Sequence, residues 1–176
     1  MSAVEPIWIA RDFPRCSGCR LCEVACSLYH EGRIWPEASR VRVFMRVPGA
    51  EFPHLCAQCH DYPCVSSCPA GALSVDRRTS AVIVDRDACN SCGACIQACP
   101  GRIPFLHPGD GKATICDLCG GDPQCARVCT EGGWGVLRVV ERDESHSYKL
   151  YARRPDEITR DLVTIIFGED GRETAG

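Results

Sequence analysis

The sequence predicts an α+β fold, with short strands and short helices arranged as two nested units and a cysteine-free extension at the C-terminal end. Three observations lead there. Sixteen cysteines in 176 residues fall into four groups with one shared cadence. Weak β-rich runs separate those groups. The apolar fraction of 45% drops to roughly 36% once cysteine is set aside, a thin supply for a core of this length.

The groups are Cys16, Cys19, Cys22, Cys26; then Cys56, Cys59, Cys64, Cys68; then Cys89, Cys92, Cys95, Cys99; and last Cys116, Cys119, Cys125, Cys129. Each opens C-x2-C and closes with x3-C. The first and third are the uninterrupted C-x2-C-x2-C-x3-C run, the bacterial ligand pattern of a 4Fe–4S cluster, and Pro69 and Pro100 follow Cys68 and Cys99 as that pattern favours. Sixteen thiols at four per cluster give four 4Fe–4S clusters with none left over. A disulfide scaffold does not suit the pattern, because three cysteines in step make poor disulfide geometry, and residues 1–10 lack the basic start and apolar run of a signal peptide. Structural zinc prefers two separated C-x2-C pairs without a third cysteine in step. Cys56-Ala57-Gln58-Cys59-His60 matches the haem c attachment string, but haem would strand Cys64 and Cys68, which instead complete a cluster run.

The formal charge is −3, and each oxidised cluster adds about −2, so the loaded chain carries roughly −11. That excludes nucleic acid as a partner. No stretch approaches the length of a membrane span, and reduced cysteine points to the cytoplasm. There is no Gly-rich phosphate loop, since Gly132-Gly133-Trp134-Gly135 lacks the spacing, and no Ser-His-Asp or H-E-x-x-H pattern. With every iron saturated by cysteine, no coordination site is open to substrate. The expectation is a non-catalytic chain that moves electrons.

Taken in order, Val41 to Met45 reads as a strand. Ala72 to Val75 and Ala81 to Val84 read as two more, separated by the polar turn Asp76-Arg77-Arg78-Thr79-Ser80. Cys64 to Cys68 and Cys95 to Cys99 suit short helices, because x3 spacing puts both cysteines on one face. Gly109-Asp110-Gly111 and Gly120-Gly121-Asp122-Pro123 read as loops, and Gly135 to Val140 as a strand. Pro155-Asp156-Glu157 starts a helix of about 155–167, with an apolar stripe of Ile158, Leu162, Ile165 and Ile166, ended by Gly168. That helix either packs on its own domain or docks a partner subunit; residues 169–176 are expected to fray. The organisation is a four-cluster domain over 1–145, with an inner unit of about 50–105 and an outer unit from 1–49 and 106–145, followed by a tail over 146–176.

In two-cluster chains of this type the fourth cysteine of each run ligates the other run's cluster. Cys68 and Cys89 are close in sequence with a strand pair between them, so the second and third groups pair, and the first and fourth pair around them. This gives Cys56, Cys59, Cys64 with Cys99; Cys89, Cys92, Cys95 with Cys68; Cys16, Cys19, Cys22 with Cys129; and Cys116, Cys119, Cys125 with Cys26. The competing arrangement pairs first with second and third with fourth.

His30, His54, His107 and His146 show no metal-ligand spacing to one another; they read as surface or supporting residues, with His30 and His54 placed to donate hydrogen bonds that tune a cluster. Arg15 and Arg20 lie near the first group and Lys112 near the fourth, either as solvated charge or as cations that raise potentials. Trp8, Trp35 and Trp134 read as cover against water, or as interface anchors.

Cys56 to Leu73, through Cys59-His60-Asp61-Tyr62-Pro63-Cys64 and Cys68-Pro69-Ala70-Gly71-Ala72, resembles the second cluster motif of four-cluster ferredoxin-like subunits of molybdopterin and tungstopterin oxidoreductases. Ile115-Cys116-Asp117-Leu118-Cys119 resembles their fourth motif. Cys16 to Gly32 is similar to the opening of the small iron–sulfur subunit that accompanies tungsten-dependent aldehyde oxidoreductases. The likeness covers about residues 7–140; the fourth group departs from it by a short gap, and no proline follows Cys26 or Cys129. The resemblance implies a catalytic partner holding a pterin-bound tungsten or molybdenum. It also implies that electrons pass along four clusters between that partner and a flavin subunit or ferredoxin. Formate, carbon monoxide and sulfoxide or nitrite oxidoreductases use similar subunits. A free polyferredoxin shuttle is the runner-up, and end-to-end self-association is a third reading.

Cluster binding free energy is here folding free energy. Chelating the iron is therefore expected to collapse the far-ultraviolet circular dichroism and the dispersion of the NMR spectrum. A sharp, dispersed apo spectrum would contradict this.

Overall fold

The computed structural model describes residues 6–143 and 145–169. Its strands pair only as two-stranded antiparallel ribbons. β1 (Ile7–Arg11) pairs with β8 (Leu137–Glu141), and β2 (Arg42–Phe44) with β3 (Phe52–His54). β4 (Leu73–Val75) pairs with β5 (Val82–Val84), and β6 (Phe105–Leu106) with β7 (Ala113–Thr114). The helices are α1 (Leu21–Glu31), α2 (Pro63–Ser66), α3 (Ala94–Ala98), α4 (Gln124–Glu131) and α5 (Pro155–Phe167). No helix among the described residues is long and apolar enough to cross a membrane. This is a mixture of helices and small antiparallel strands, as the sequence predicts.

Isolated two-stranded ribbons are marginal in water, so something else must hold them. Cysteine sulfur fills that role here. One buried cluster joins Ile9, Val41, Leu55, Leu118 and Leu137 to Cys22, Cys26, Cys116 and Cys125. A second joins Leu73, Val82 and Ile115 to Cys64, Cys89 and Cys95. The thiols are the middle of both cores.

The first and fourth cysteine groups meet in the first core. Register in β1–β8 sets Ile9 opposite Val139 and Arg11 opposite Leu137, while α1 packs on α4. Between them in sequence, α2 packs on α3 and ribbon β4–β5 closes through the polar turn that the sequence marks. Asp76 makes that turn by accepting from Arg78 N and from Thr79 Oγ1.

Several elements differ from the sequence expectation. β1 was not anticipated, because Trp8 and Ile9 are both buried and give no alternation. β3 contains Pro53, which a two-stranded ribbon tolerates because both of its strands are edges. The expected loop at Gly120–Gly121 belongs instead to a 3-10 turn over Leu118–Gly121, with Cys119 and Gly120 in left-handed conformations.

α5 begins and ends where expected: Arg154 N donates to Glu157, and Gly168 N donates to Thr164 O. Its buried face is corrected. Ile158, Thr159, Leu162 and Val163 are buried, whereas Ile165 is 67% exposed and Ile166 37%. Ile158, Leu162 and Val163 pack on Phe13, Phe44, Ala50 and Phe52. The helix therefore packs on its own domain through its first three turns, and the last turn runs out over solvent. Of the expected frayed segment, 170–176 lie outside the described residues.

Leu162→Ala is expected to cost about 2–4 kcal/mol, read as a lower unfolding midpoint of the anaerobic holo-protein with iron content unchanged. Ile165→Ala should stay within about 0.5 kcal/mol; equal losses at both positions would refute the face assigned to this helix.

Candidate metal centres

All four cysteine groups share one local geometry. The residue before the second cysteine has positive φ in each: Gly18, Gln58, Ser91 and Leu118. Only one of the four is glycine. A left-handed conformation costs an ordinary residue about 1–2 kcal/mol, so Gln58 and Leu118 hold it for a reason. Successive turns of this kind aim backbone N–H groups into one concavity, the arrangement that binds anionic groups. The third and fourth cysteines then lie on or beside a helix: Cys22 and Cys26 on α1, Cys64 on α2 with Cys68 after it, Cys95 on α3 with Cys99 after it, and Cys125 and Cys129 on α4. A separation of four residues turns each pair to one side.

Tertiary structure brings cysteines of different groups together. Cys16, Cys19, Cys22 and Cys129 line one cavity, closed by Trp134 and Leu137. Cys56, Cys59, Cys64 and Cys99 line another, with Tyr62 and Ala152. Cys95 neighbours Cys89 and Cys68. Cys125 neighbours Cys26 and Cys119, and Cys116 lies near Cys125, Cys26 and Cys56. Each of these four gatherings receives at least one backbone N–H on sulfur. The donors are Leu137 to Cys129 at 3.5 Å, Ile103 to Cys99 at 3.5 Å, Ala113 to Cys89 at 3.4 Å and Arg40 to Cys26 at 3.3 Å.

Burial pushes the free thiols up, to about 12 for Cys56 and Cys64 and about 11 for Cys59 and Cys119, and well above the usual range for Cys116 and Cys125. Such thiols cannot ionise alone at neutral pH. A positively charged core supplies the missing stabilisation, and four converging sulfurs in a mostly apolar lining with N–H donors fit a 4Fe–4S cube. The chain carries multiple 4Fe–4S clusters.

The polar residues around the thiols differ from the sequence expectation. His30 does reach a thiol: its Nε2 lies 3.6 Å from Cys119 Sγ and 3.5 Å from an Asp117 carboxylate oxygen. His54 does not, because its Nε2 donates to Arg153 O at 2.8 Å and so ties β3 to the segment before α5. His107 sits beside the Glu31 carboxylate at 3.2 Å, and His146 stacks on Tyr151. Lys112 adjoins the third group rather than the fourth, donating to Cys89 O at 2.6 Å. Arg15 and Arg20 pair with Asp12 and Glu23. Trp8 donates to Ala57 O at 3.1 Å and lies tilted against Tyr148 and Tyr151, and Tyr151 packs on the cluster of Ala57, Cys59 and Ala152. Trp35 packs on His107 and under Arg33.

Two arginines escaped the sequence reading. Arg11 is half-buried, donates to Cys56 O at 2.6 Å, and stacks over Trp8. Its Nε has no partner among the described residues, and neither do Arg40 Nε and Nη1. No spacing rule marks either one. Arg11 lies on the unexpected strand β1, and Arg40 reaches the fourth group only because α1 and α4 meet.

Comparison with known proteins follows this geometry. The sequence profile of the 4Fe-4S dicluster domain matches residues 48–138. The chain is 52% identical over 166 residues to the polyferredoxin-like subunit of an aliphatic sulfonate oxidoreductase from Pyrococcus furiosus, covering 94% of this chain and 96% of that one. It is 36% identical over 151 residues to the thiosulfate reductase electron transfer subunit PhsB of Salmonella typhi, covering 76% and 75%. A chain of the BamBC active-site complex of benzoyl coenzyme A reductase is 26% identical, with 93% of each chain covered and a TM-score of 0.44.

Because these thiols are protonated until iron binds, anaerobic reconstitution at neutral pH should release on the order of one proton per cysteine bound. Apparent affinity for iron should rise with pH, since protons compete for the same sulfurs. Reconstitution without measurable proton release would mean the sulfurs are not the ligands.

Proposed function

The chain belongs to the 4Fe-4S dicluster domain family, and on that footing we propose a four-cluster wire within an oxidoreductase complex. Its coarse role is that of an iron–sulfur electron-transfer subunit without catalytic residues of its own. Each bound cluster supplies one-electron uptake and release. The ligand sets in this reading are Cys16, Cys19, Cys22, Cys129; Cys26, Cys116, Cys119, Cys125; Cys56, Cys59, Cys64, Cys99; and Cys68, Cys89, Cys92, Cys95.

The observation that carries the reading is the position of Cys116. It neighbours Cys125 and Cys26 on one side and Cys56 on the other, while Cys125 also neighbours Cys22. The four sets then run in one file in the order just given. Exposed Cys19 and Cys92 belong to the two end sets. A file with an accessible thiol set at each end suits entry at one end and exit at the other. The protein's own part is to hold the sets in sequence, to keep water from the middle of the file, and to place N–H groups on the sulfurs. In domain terms, about 50–105 form an inner unit inside an outer unit of 1–49 and 106–145. In the tail expected over 146–176, Tyr151 and Ala152 pack beside Cys59, and the exposed end of α5 is offered to a partner.

The partner in this reading is a catalytic subunit with pterin-bound tungsten or molybdenum, and a flavin subunit or ferredoxin lies at the other end. Two substrate readings stand. The opening motif favours an aldehyde oxidoreductase. The relative from Pyrococcus furiosus, named for an aliphatic sulfonate oxidoreductase, favours a sulfonate, and its identity over nearly the whole chain gives that reading more weight.

Anaerobic purification from native cells should bring down a larger subunit containing tungsten or molybdenum. Adding an aldehyde or an aliphatic sulfonate to that complex should bleach the iron–sulfur absorbance of this chain. Isolation as a metal-poor monomer reduced equally by unrelated donors would instead establish the free shuttle. For the ligand sets, Cys129→Ser should disturb the same EPR signal as Cys16→Ser, and Cys26→Ser the same signal as Cys116→Ser. Shared signals between Cys26 and Cys16 would reject these sets.

A further inference from the structure

Charge is distributed unevenly around the four ligand sets. Cys116 and Cys125 are buried, and half-buried Arg11, its Nε enclosed, stands between them and Cys56, with Cys56 its foremost thiol neighbour. Arg11 stacks on Trp8 and Tyr151 and donates to the Cys56 carbonyl, yet it has no carboxylate partner among the described residues. On another side of the same set, Arg40 donates its backbone N–H to Cys26 Sγ at 3.3 Å, and its side chain acts on Cys119 and His30. Arg40 Nε and Nη1 are buried without partners among the described residues. His30 Nε2 lies 3.6 Å from Cys119 Sγ. One carboxylate, Asp117, faces the set, and it accepts Cys119 N–H at 3.0 Å. Burying a guanidinium without a counter-charge is costly, and two of them converge here. Negative charge held by this thiol set answers that cost.

The first set has the opposite surroundings. Glu23 is 2% exposed and adjoins Cys22, and Glu51 faces Cys16. Arg20 is the guanidinium that offsets them, and it is paired to Glu23 from a largely exposed position. At the third group the nearby cation is Lys112, held on the Cys89 carbonyl. At the second, Asp61 and Lys149 pair with each other beside Cys59, and Arg11 is shared with the neighbouring set through Cys56.

One-electron reduction adds one negative charge to a cluster. Nearby cations and hydrogen bonds to sulfur stabilise the reduced form and raise its potential. Burial alone works in the other direction, because the added charge is poorly solvated. In a low-dielectric site, however, the cations act at close to full strength.

We infer that the set Cys26, Cys116, Cys119 and Cys125 holds the highest-potential cluster of the chain, with Arg11, Arg40 and His30 as the positioning residues that set it. The inference rests on the ligand sets proposed above. It makes an inner member of the file the electron sink, one place from the end set that contains exposed Cys19.

The test is an anaerobic, EPR-monitored redox titration of the holo-protein with dithionite as reductant, at fixed pH. Cys119→Ser first identifies the site's signal. If it alters no signal or iron content, the ligand reading itself fails. Arg40→Gln should then shift the highest midpoint downward and leave the others in place, while Arg40→Lys restores most of the shift. His30→Gln, a milder change, should move the same midpoint in the same direction, which keeps the test decisive if Arg40→Gln loses iron. Glu23→Gln should raise a different midpoint. An assigned signal that is not the highest, or one unmoved by both Arg40→Gln and His30→Gln with full iron content, overturns the inference.

Discussion

The structure depends on buried thiols that cannot ionise without a positive core beside them. Cys116 and Cys125 sit among Ile9, Leu118, Ala126 and Leu137, in a setting suited to hydrocarbon. Desolvation there raises their pKa well above that of a free thiol. Cluster binding reverses that penalty, and because the sulfurs come from distant segments it also fastens those segments together. The apolar shortage in the composition and the shortness of the strands follow from this. A chain held at its ligands has no need of a large sheet or a long helix bundle.

The same constraint explains the repeated backbone. A cube held by C-x2-C must be wrapped tightly, and the left-handed residue before the second cysteine provides the wrap in all four groups. Gln58 and Leu118 accept this strain without the freedom of glycine. Gln58 is also buried and tied by its carbonyl to Arg142 Nη1 at 2.8 Å, so the fold over-determines its conformation. The polar network then continues through Trp8 and Tyr148 to the segment that precedes α5. In this way the cysteine-free tail becomes part of the cover over the Cys59 side.

Function follows from how these sites are ordered and how each is charged. Thiols of different groups meet in the fold: Cys116 lies near both Cys26 and Cys56. The chain as a whole is acidic, so half-buried Arg11 and Arg40, with enclosed guanidinium nitrogens, stand out as local exceptions. Their enclosed nitrogens lie near Cys26, Cys56 and Cys116, where a positive charge offsets the desolvation of a thiolate.

The cysteine cadence made the cofactor class and the mixed, short-element fold legible, because ligand chemistry is local and fixes its own spacing. It also marked the β4–β5 ribbon, its polar turn and the bounds of α5, whose signals are Asp76, Pro155 and Gly168. Other features depended on contacts between residues far apart in sequence. Strand β1 lacks alternation and gains its partner 130 residues away, in the register that places Arg11 opposite Leu137. The buried face of α5 was misread because helical period alone cannot say where the supporting surface ends; Phe52 and Phe13 stop beneath Leu162 and leave Ile165 in solvent. Lys112 stands beside the fourth group in sequence but beside Cys89 in space. Sequence by itself determined the cofactor class, since the spacing of the cysteine donors is written residue by residue. Only the tertiary structure decided which thiols meet and which charges surround them, because electrostatic fields act across space and ignore order along the chain.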